Sequence, residues 1–269
     1  MATATANGLE IAYEAIGDGP PLVLLHGATS IGRDDFAAQI PLLSKTFRLL
    51  IPDQRGHGGT RWDAERGFEE RWLADDLAGF ADALGLGSFH LLGFSMGGTV
   101  ALHFGARWPD RLRTVVIAGT SPDREPRTSV ARRLMDPVRA DRDEPAWAAV
   151  LARRHDAGQG KGRWRQLLPA IAADIGRQTL VTAAELHRVD APALIAVGDR
   201  DPFVPVGQAW ALQRQLPDAR LLVVPGCGHE VTARAAGVFN EVVTRFYRST
   251  QTAAEQRAAA WDAQKGRET

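Results

Sequence analysis

Short runs of apolar residues recur along the chain, and many of the stretches between them have apolar positions at a helical period. Continuous apolar runs are typical of strands that are buried on both faces, as in a parallel sheet. Strands that alternate with helices in this way indicate an α/β fold, with helices on both faces of a mostly parallel central sheet. The predicted strands are Leu22–Leu25, Arg48–Ile51, His90–Leu92, Thr114–Ala118, Ala193–Val197 and Leu221–Val224.

Three stretches carry clear helical patterns. Glu69–Leu84 has apolar residues at helical spacing and stops at Gly85, while Thr99–Arg107 and Val206–Leu216 are each followed closely by proline. The leading segment Leu9–Ala15 alternates loosely between apolar and polar residues. We expect it to form an antiparallel strand at the edge of the sheet.

Residues 122–190 interrupt the alternation, because they contain helix-compatible pieces but no convincing strand. We interpret them as a helical lid inserted into a core formed by residues 1–121 and 191–248, with 249–269 as a helical or disordered tail. The lid has thirteen basic and ten acidic residues, which fits a solvated helix surface or, alternatively, a basic pocket wall for an anionic substrate. Gly158–Gly162 is interpreted as a flexible link within it.

Composition and charge exclude several classes of protein. The 32 basic and 32 acidic residues cancel, so no strong net field is available to hold nucleic acid or an anionic membrane. One cysteine forms neither an intramolecular disulfide nor a cysteine-based metal site. The apolar runs are far shorter than the roughly 18 residues that span a bilayer, and the first eight residues do not resemble a signal peptide. We expect a cytoplasmic monomer or homodimer without a metal or cofactor.

A glycine-rich serine motif follows one predicted strand and opens the next predicted helix. In Gly93-Phe-Ser-Met-Gly-Gly98, a sharp strand-to-helix turn would present the Ser95 hydroxyl above the sheet, and the flanking glycines would avoid clashes. The Met96 backbone N–H would lie at the helix start, which favours a negative oxygen. A tight turn after His26-Gly27 would direct the Ala28 N–H to the same oxygen and complete an oxyanion hole. The alternative is a packing turn with an incidental serine.

The motifs taken in order resemble the α/β-hydrolase superfamily over about Gly8 to Tyr247. The serine turn, combined with the segment at Asp53, is similar to the carboxylesterase, enol-lactonase and carbon–carbon hydrolase branches. The superfamily order is serine, aspartate, histidine. The matching segments are His26-Gly27, Asp53-Gln-Arg-Gly-His-Gly58, Gly93–Gly98, Gly198-Asp-Arg-Asp201-Pro-Phe-Val-Pro205 and Gly226-Cys-Gly-His229.

The resemblance places the general base at His229 and the acid at Asp201. An imidazole can accept the serine proton near neutral pH. Of the seven histidines, His229 alone follows a predicted core strand with a glycine on its N-terminal side. Asp199 and Asp123 stay open as alternatives for the acid, which would orient the imidazole tautomer.

Several other conspicuous residues are interpreted as structural. His26 belongs to a tight turn, Arg55 is expected to tie neighbouring loops together with Asp53, and Cys227 is expected to be a small packed residue. Trp147 and Trp164 are candidates for substrate contacts, because the lid emerges at the edge of the sheet where such folds bind ligands.

The motifs and the resemblance predict hydrolysis of a small carboxylic ester or lactone through an acyl-enzyme, with Ser95 as the nucleophile. A serine at this position argues against epoxide hydrolases and haloalkane dehalogenases, which use a carboxylate there. Hydrolysis of an activated carbon–carbon bond in a diketone-type substrate is the alternative reaction. A non-catalytic small-molecule receptor with the same fold is the alternative class of protein.

Overall fold

Strands and helices alternate along most of the chain, as predicted. The computed structural model describes residues 1–267 and, among them, every side chain except that of Arg66. The strands are β1 (Ala2–Ala6), β2 (Leu9–Ile16), β3 (Pro21–Leu25), β4 (Arg48–Pro52), β5 (Phe89–Phe94), β6 (Leu112–Ala118), β7 (Ala193–Gly198) and β8 (Ala219–Val224). The helices are α1 (Gly32–Asp35), α2 (Ile40–Leu43), α3 (Glu70–Ala83), α4 (Met96–Arg107), α5 (Arg127–Leu134), α6 (Pro137–Asp143), α7 (Pro145–Gln159), α8 (Trp164–Arg177), α9 (Ala183–Leu186), α10 (Val206–Gln215), α11 (Val231–Arg234), α12 (Ala236–Ser249) and α13 (Gln251–Lys265).

The strands form one sheet in the order β1-β2-β4-β3-β5-β6-β7-β8. Pairing is parallel in the run from β4 to β8, and β2 is the predicted antiparallel strand. The prediction that β2 lies at the edge is wrong, because β1 pairs with its outer side. The strand β1 pairs antiparallel with β2 and is an edge strand that the apolar pattern did not predict, because it consists only of alternating alanine and threonine. The predicted α/β architecture with a mostly parallel sheet is confirmed.

Alternate residues of the central strands face two separate hydrophobic layers. In β3, Val23 and Leu25 pack in the layer under α3 and α4, whereas Leu22 and Leu24 pack in the layer under α12. All four are almost fully buried. This explains why the strand is a continuous apolar run, since neither face of a sandwiched parallel strand meets water.

The segment 122–190 forms helices α5 to α9, and its residues share a cavity with the loops at the carboxyl edge of the sheet. The tail forms α13, which Arg257 ties to the core by donating to the carbonyls of Pro109 and Leu112. The last two residues of the tail, 268 and 269, lie outside the described part of the chain.

Helix α7 packs closely on the turn that follows β4. The Gln159 side-chain amide donates to the carbonyl oxygens of His57, Gly58 and Thr60 at 3.3, 3.0 and 2.7 Å. A Cβ added to Gly158 would lie 2.1 Å from the Gly58 oxygen, far inside contact distance. Gly158 and Gln159 are therefore not part of a flexible link, because they form the end of α7. Gly158 allows the backbone of α7 to approach that of Gly58 closely.

We predict that Gly158→Ala destabilises the protein by about 1–3 kcal/mol, because the helix must move away from Gly58. This loss would exceed the roughly 1 kcal/mol by which alanine favours a helix over glycine. The matched control is Gly207→Ala in α10, where an added Cβ meets nothing within 4 Å and a small gain in stability is expected. Urea denaturation measures both variants, and shifts of the same sign and size would contradict the prediction.

Candidate active site

Ser95 occupies a sharp turn between β5 and α4. Its backbone has φ 53° and ψ −115°, a left-handed conformation that a residue with a Cβ adopts only when the surrounding structure enforces it. The glycines around it allow that enforcement. A Cβ added to Gly93 would lie 2.2 Å from the backbone oxygen of Gly97. A Cβ added to Gly97 would lie 2.1 Å from the backbone oxygen of Leu25. The turn therefore packs against β3 and α4 with no room for side chains, and it projects the serine hydroxyl away from the sheet.

The structure brings Ser95, His229 and Asp201 into one hydrogen-bonded chain. His229 Nε2 lies 2.9 Å from Ser95 Oγ, and its Nδ1 lies 2.8 Å from Asp201 Oδ2. The other carboxylate oxygen of Asp201 accepts from the backbone N–H groups of Phe203 and Val204 at 2.8 and 3.1 Å. The Asp201 side chain is fully buried, so these contacts fix its orientation. The three residues come from loops after β5, β7 and β8, whose carboxyl ends share one edge.

Neither alternative for the acid reaches the histidine. Asp199 and Asp123 are exposed, and neither has a contact with His229 within the described residues. Aromatic rings hold the imidazole instead: the Phe203 and Phe94 rings lie 4.4 and 5.2 Å from it between centroids. The carboxylate that orients the ring is thus Asp201.

The two amides expected to bind an oxyanion line the same cavity as Ser95. Within residues 1–267, neither the Ala28 nor the Met96 N–H donates to another group of the chain, so both are free for a ligand. Asp35 holds the loop before Ala28, because its carboxylate accepts from Gly27 N–H at 2.7 Å and from the Ser30 hydroxyl at 2.5 Å. Burial raises the pKa of Asp35. No motif in the sequence identified this residue.

Three buried histidines join the loop after β3, the turn after β4 and the lid. His26 Nε2 accepts from Gln54 N–H at 2.9 Å, and His57 Nε2 accepts from Thr29 N–H at 3.1 Å. His155 Nδ1 accepts from Gly58 N–H at 3.1 Å, while its Nε2–H donates to the Thr29 carbonyl at 3.2 Å.

Each of these rings is therefore neutral and has its accepting nitrogen filled by a backbone donor. Burial lowers the pKa of His26 to about 3 and that of His155 to about 4, and it holds the pKa of His57 well below its usual value. The His26 assignment as a structural residue agrees with these contacts. The role of His155, which lies in the lid, was not foreseen, because its partners are 97 and 126 residues away in sequence.

The interpretation of Arg55 with Asp53 is changed in part, whereas that of Cys227 agrees with the structure. Arg55 does not pair with Asp53: it forms two hydrogen bonds of 2.8 Å with Asp76 on α3. Asp53 instead accepts from the Gly59 N–H, and burial raises its pKa to about 6. Cys227 is buried, as expected, and it also borders the cavity.

The cavity above Ser95 has a volume of about 890 Å³ and is bounded by both the core and the lid. Trp147 lines it from the lid side. Trp164 does not: it is 1% exposed and packs with Ala140, Leu151 and Leu168 inside the lid. It is therefore a packing residue, because the helical spacing of lid tryptophans cannot reveal which face turns inward.

No group of three or more His, Cys, Asp or Glu side chains between residues 1 and 267 could hold a metal ion. In the same part of the chain, no helix is both long and apolar enough to cross a membrane.

Comparison with known proteins assigns the family. The profile of the alpha/beta hydrolase family matches residues 22–242. The chain is 30% identical over 255 residues to the serine hydrolase BPHL of Mus musculus, covering 91% of this chain and 85% of that protein. It is 26% identical over 262 residues to a 2-hydroxy-6-oxo-6-phenylhexa-2,4-dienoate hydrolase of Burkholderia cepacia, covering 86% and 88%.

Solved structures give the same result. A thermophilic esterase from Thermogutta terrifontis superimposes with a TM-score of 0.73 at 26% identity, covering 93% of this chain and 97% of that one. An enol-lactonase from Burkholderia xenovorans LB400 has a TM-score of 0.73 at 24% identity, covering 91% and 99%, and supports the fold alone. The chain belongs to the alpha/beta hydrolase family. It is a hydrolase that acts on small-molecule substrates.

Neutral His155 links the lid to the core, and this generates a pH dependence of stability. An unfolded histidine takes up a proton near pH 6.5, whereas His155 in the fold does so near pH 4, so the unfolded state binds more protons between those values. The contribution of His155 is therefore complete above pH 6.5 and is lost as the pH falls towards 4. We expect the free energy of unfolding to fall by up to about 3 kcal/mol more in the wild type than in His155→Gln between pH 7 and 4.

Urea denaturation at several pH values measures this difference. The control is His187→Gln, which changes an exposed histidine of the same segment and should leave the wild-type pH dependence unaltered. Parallel curves for the wild type and His155→Gln would show that His155 does not remain neutral in the fold.

Proposed function

We propose that the protein is a serine hydrolase that cleaves a small carboxylic ester or lactone through an acyl-enzyme. One observation carries the proposal: the hydrogen-bonded chain from Ser95 through His229 to Asp201 opens onto the 890 Å³ cavity. Such a chain couples a nucleophile to a base and the base to a buried carboxylate. Two unpaired amides at the same cavity, of Ala28 and Met96, supply the donors that an oxyanion requires.

In the first half-reaction, Ser95 Oγ attacks the ester carbonyl while its proton passes to His229 Nε2. The carbonyl oxygen becomes negative and accepts from the Ala28 and Met96 amides, which are already oriented. Asp201 holds the Nδ1–H tautomer and stabilises the imidazolium. The bond to the leaving oxygen then breaks, and His229 returns the proton to the departing alcohol, or to the ring-opened hydroxyl of a lactone.

In the second half-reaction, a water molecule replaces the alcohol. His229 takes its proton, the hydroxide attacks the acyl carbonyl, and the same amides bind the oxyanion. Collapse of this intermediate releases the carboxylic acid and returns the proton to Ser95. Apart from water, this mechanism uses only groups of this chain.

We further propose that residues 122–190 act as a lid over a catalytic core of residues 1–121 and 191–248. Trp147 would contact the substrate, because it lines the cavity from the lid side. A lid that excludes water strengthens the electrostatic interactions around the oxyanion. Three further expectations remain predictions from the sequence. They are the absence of nucleic-acid and membrane partners, a monomeric or homodimeric state, and a cytoplasmic location.

Hydrolysis of an activated carbon–carbon bond is the second candidate reaction, since the Burkholderia cepacia relative is named for a dienoate of that kind. The same three side chains would serve it. Turnover of p-nitrophenyl acetate or butyrate favours the ester reaction, whereas cleavage of a vinylogous diketone with little ester turnover would favour the second.

We predict that Ser95→Ala lowers kcat for p-nitrophenyl butyrate by about 10⁴–10⁶, because the three side chains act as a unit. The fold should be unchanged, as judged by circular dichroism and thermal melting. Ser88→Ala is the matched control, since Ser88 is a buried serine whose hydroxyl accepts from Arg113 before β5 begins. Retention of more than about a tenth of the wild-type rate in Ser95→Ala would exclude Ser95 as the nucleophile.

We predict that Asp201→Asn lowers kcat by about 10⁴, because an amide can no longer hold the required imidazole tautomer. Asp199→Asn is the matched control two residues away, and its exposed side chain should change kcat by less than about threefold. Steady-state kinetics on the same ester measures both. An equal loss in the two variants would mean that the contact between Asp201 and His229 has no part in turnover.

A further inference from the structure

The turn that carries the proposed oxyanion donor Ala28 contains a strained residue. Ser30 N–H donates to the Gly27 carbonyl at 3.4 Å, which closes a four-residue turn. The third residue of this turn, Thr29, has φ 64°, in the left-handed region. That position of a turn favours glycine or asparagine, and a β-branched residue there is an outlier. Other contacts must therefore hold Thr29 in this conformation.

Two lid side chains supply contacts of that kind. The Thr29 carbonyl accepts from Arg154 Nη1 at 3.1 Å and from His155 Nε2–H at 3.2 Å, and both residues lie on α7. Arg154 is itself fixed, because its Nε donates to Asp34 Oδ2 on α1 at 2.7 Å. On the core side, the Thr29 N–H donates to His57 Nε2 at 3.1 Å. The strained residue is thus held by the lid through its carbonyl and by the core through its N–H.

Hydrogen bonds connect these lid contacts to Ala28 through two peptide planes. A trans peptide group is planar, so its C=O and N–H keep a fixed relative direction. The Thr29 carbonyl and the Ser30 N–H belong to one plane, and the Gly27 carbonyl and the Ala28 N–H belong to another. The hydrogen bond from Ser30 to Gly27 joins the two planes. The donors on the Thr29 carbonyl therefore help to fix the direction of the Ala28 N–H.

The core holds the ends of the turn but not the carbonyl of its strained residue. Asp35 accepts from Gly27 N–H and from the Ser30 hydroxyl, and His26 Nδ1 lies 2.8 Å from the Gly27 oxygen. Within residues 1–267, both donors to the Thr29 carbonyl come from α7. The conformation of the turn at Thr29 consequently depends on where the lid lies.

We propose that Arg154 and His155 are positioning residues that hold Thr29 in its left-handed conformation, so that the oxyanion hole is complete only while the lid is docked. This rests on the proposed hydrolase function and adds a link between the lid and the chemical step. If α7 moves away, the Thr29 carbonyl loses both donors and the turn relaxes, which directs the Ala28 N–H away from the substrate oxygen. Neither lid residue takes part in bond making or breaking.

Steady-state hydrolysis of p-nitrophenyl butyrate by Arg154→Met tests the proposal. We expect kcat to fall by about 10- to 50-fold and KM to change less than threefold, because a misdirected amide weakens binding of the transition state more than that of the substrate. The loss is smaller than the roughly 10²–10³ that removal of a whole oxyanion donor costs, since His155 still donates to Thr29. The affinity for butaneboronic acid, which forms a tetrahedral adduct with the Ser95 hydroxyl, should fall by a factor similar to that in kcat/KM.

The matched control is Arg153→Met, which removes the same charge from the adjacent residue. Arg153 also contacts Asp34, at 3.2 Å, but it is exposed and has no hydrogen bond to Thr29 in the described part of the chain. Its replacement should lower kcat less than threefold. Equal losses in the two variants would overturn the proposal, as would an unchanged kcat in Arg154→Met.

A second substitution separates positioning from other roles of Arg154, which lines the cavity. Glycine adopts the left-handed region without strain, so Thr29→Gly removes the need for the lid donors. In the Thr29→Gly background, Arg154→Met should lower kcat less than threefold. A loss that stays at about tenfold or more would mean that Arg154 acts by contact with the substrate or through its charge, and it would refute the positioning role.

Hydrogen exchange of the wild type requires neither a variant nor turnover. The Thr29 and Ser30 amides donate within the fold, and they should lose protection together with those of α7 as urea rises below the unfolding transition. Mass spectrometry follows peptides that cover residues 27–31 and 145–159, with β5 as the reference that stays protected. Protection of the turn that outlasts that of α7 would refute the link between them.

The two measurements together separate this proposal from the proposed function. Linked exchange without any ester turnover by the wild type would refute the hydrolase function but retain the link between the lid and the turn. Ester turnover with independent exchange and an unchanged kcat in Arg154→Met would refute the positioning role alone.

Discussion

The close packing of β3, β5 and α4 around Ser95 is the contact on which the rest of the site depends. A non-glycine residue in the left-handed region costs of the order of 1–3 kcal/mol and is kept only when its surroundings enforce it. At Gly93 and Gly97 the neighbouring backbone oxygens lie about 2 Å from where a Cβ would be. Direct packing of one backbone segment on another therefore holds Ser95 in this conformation. The same turn directs the serine hydroxyl into the cavity and leaves the Met96 amide unpaired at the start of a helix.

The loop opposite that turn is held by neutral, buried histidines rather than by charge. Thr29 donates to His57 and accepts from His155, so the loop that carries Ala28 is tied to both the turn after β4 and the lid. Because burial keeps these rings neutral, each can accept a backbone N–H that a charged ring would repel. The position of one proposed oxyanion donor and the docking of the lid therefore depend on the same contacts.

Charge in the lid is used in two ways. Arg153 and Arg165 form ion pairs at the surface, where such pairs contribute little to stability. Arg127 is instead buried, and it donates to Thr99 on α4 near the carboxyl of Glu70, whose pKa is raised by burial. The basic residues of the lid therefore include both surface ion pairs and a buried side chain that joins the lid to the core, and the count alone does not separate them. Burial is what changes a solvated charge into one that requires a partner.

The sequence by itself determined the parallel sheet, the turn at Ser95 and the order of the motifs, because each depends on neighbours within a few residues. It also favoured His229 and Asp201, whose loops directly follow core strands. Only the tertiary structure decided that Arg55 pairs with Asp76, that Trp164 faces the lid interior and that His155 and Arg127 reach the core. Those contacts join residues 21 to more than 100 positions apart or depend on which face of a helix turns inward. Local patterns do not encode such pairings, since they arise from how whole elements pack.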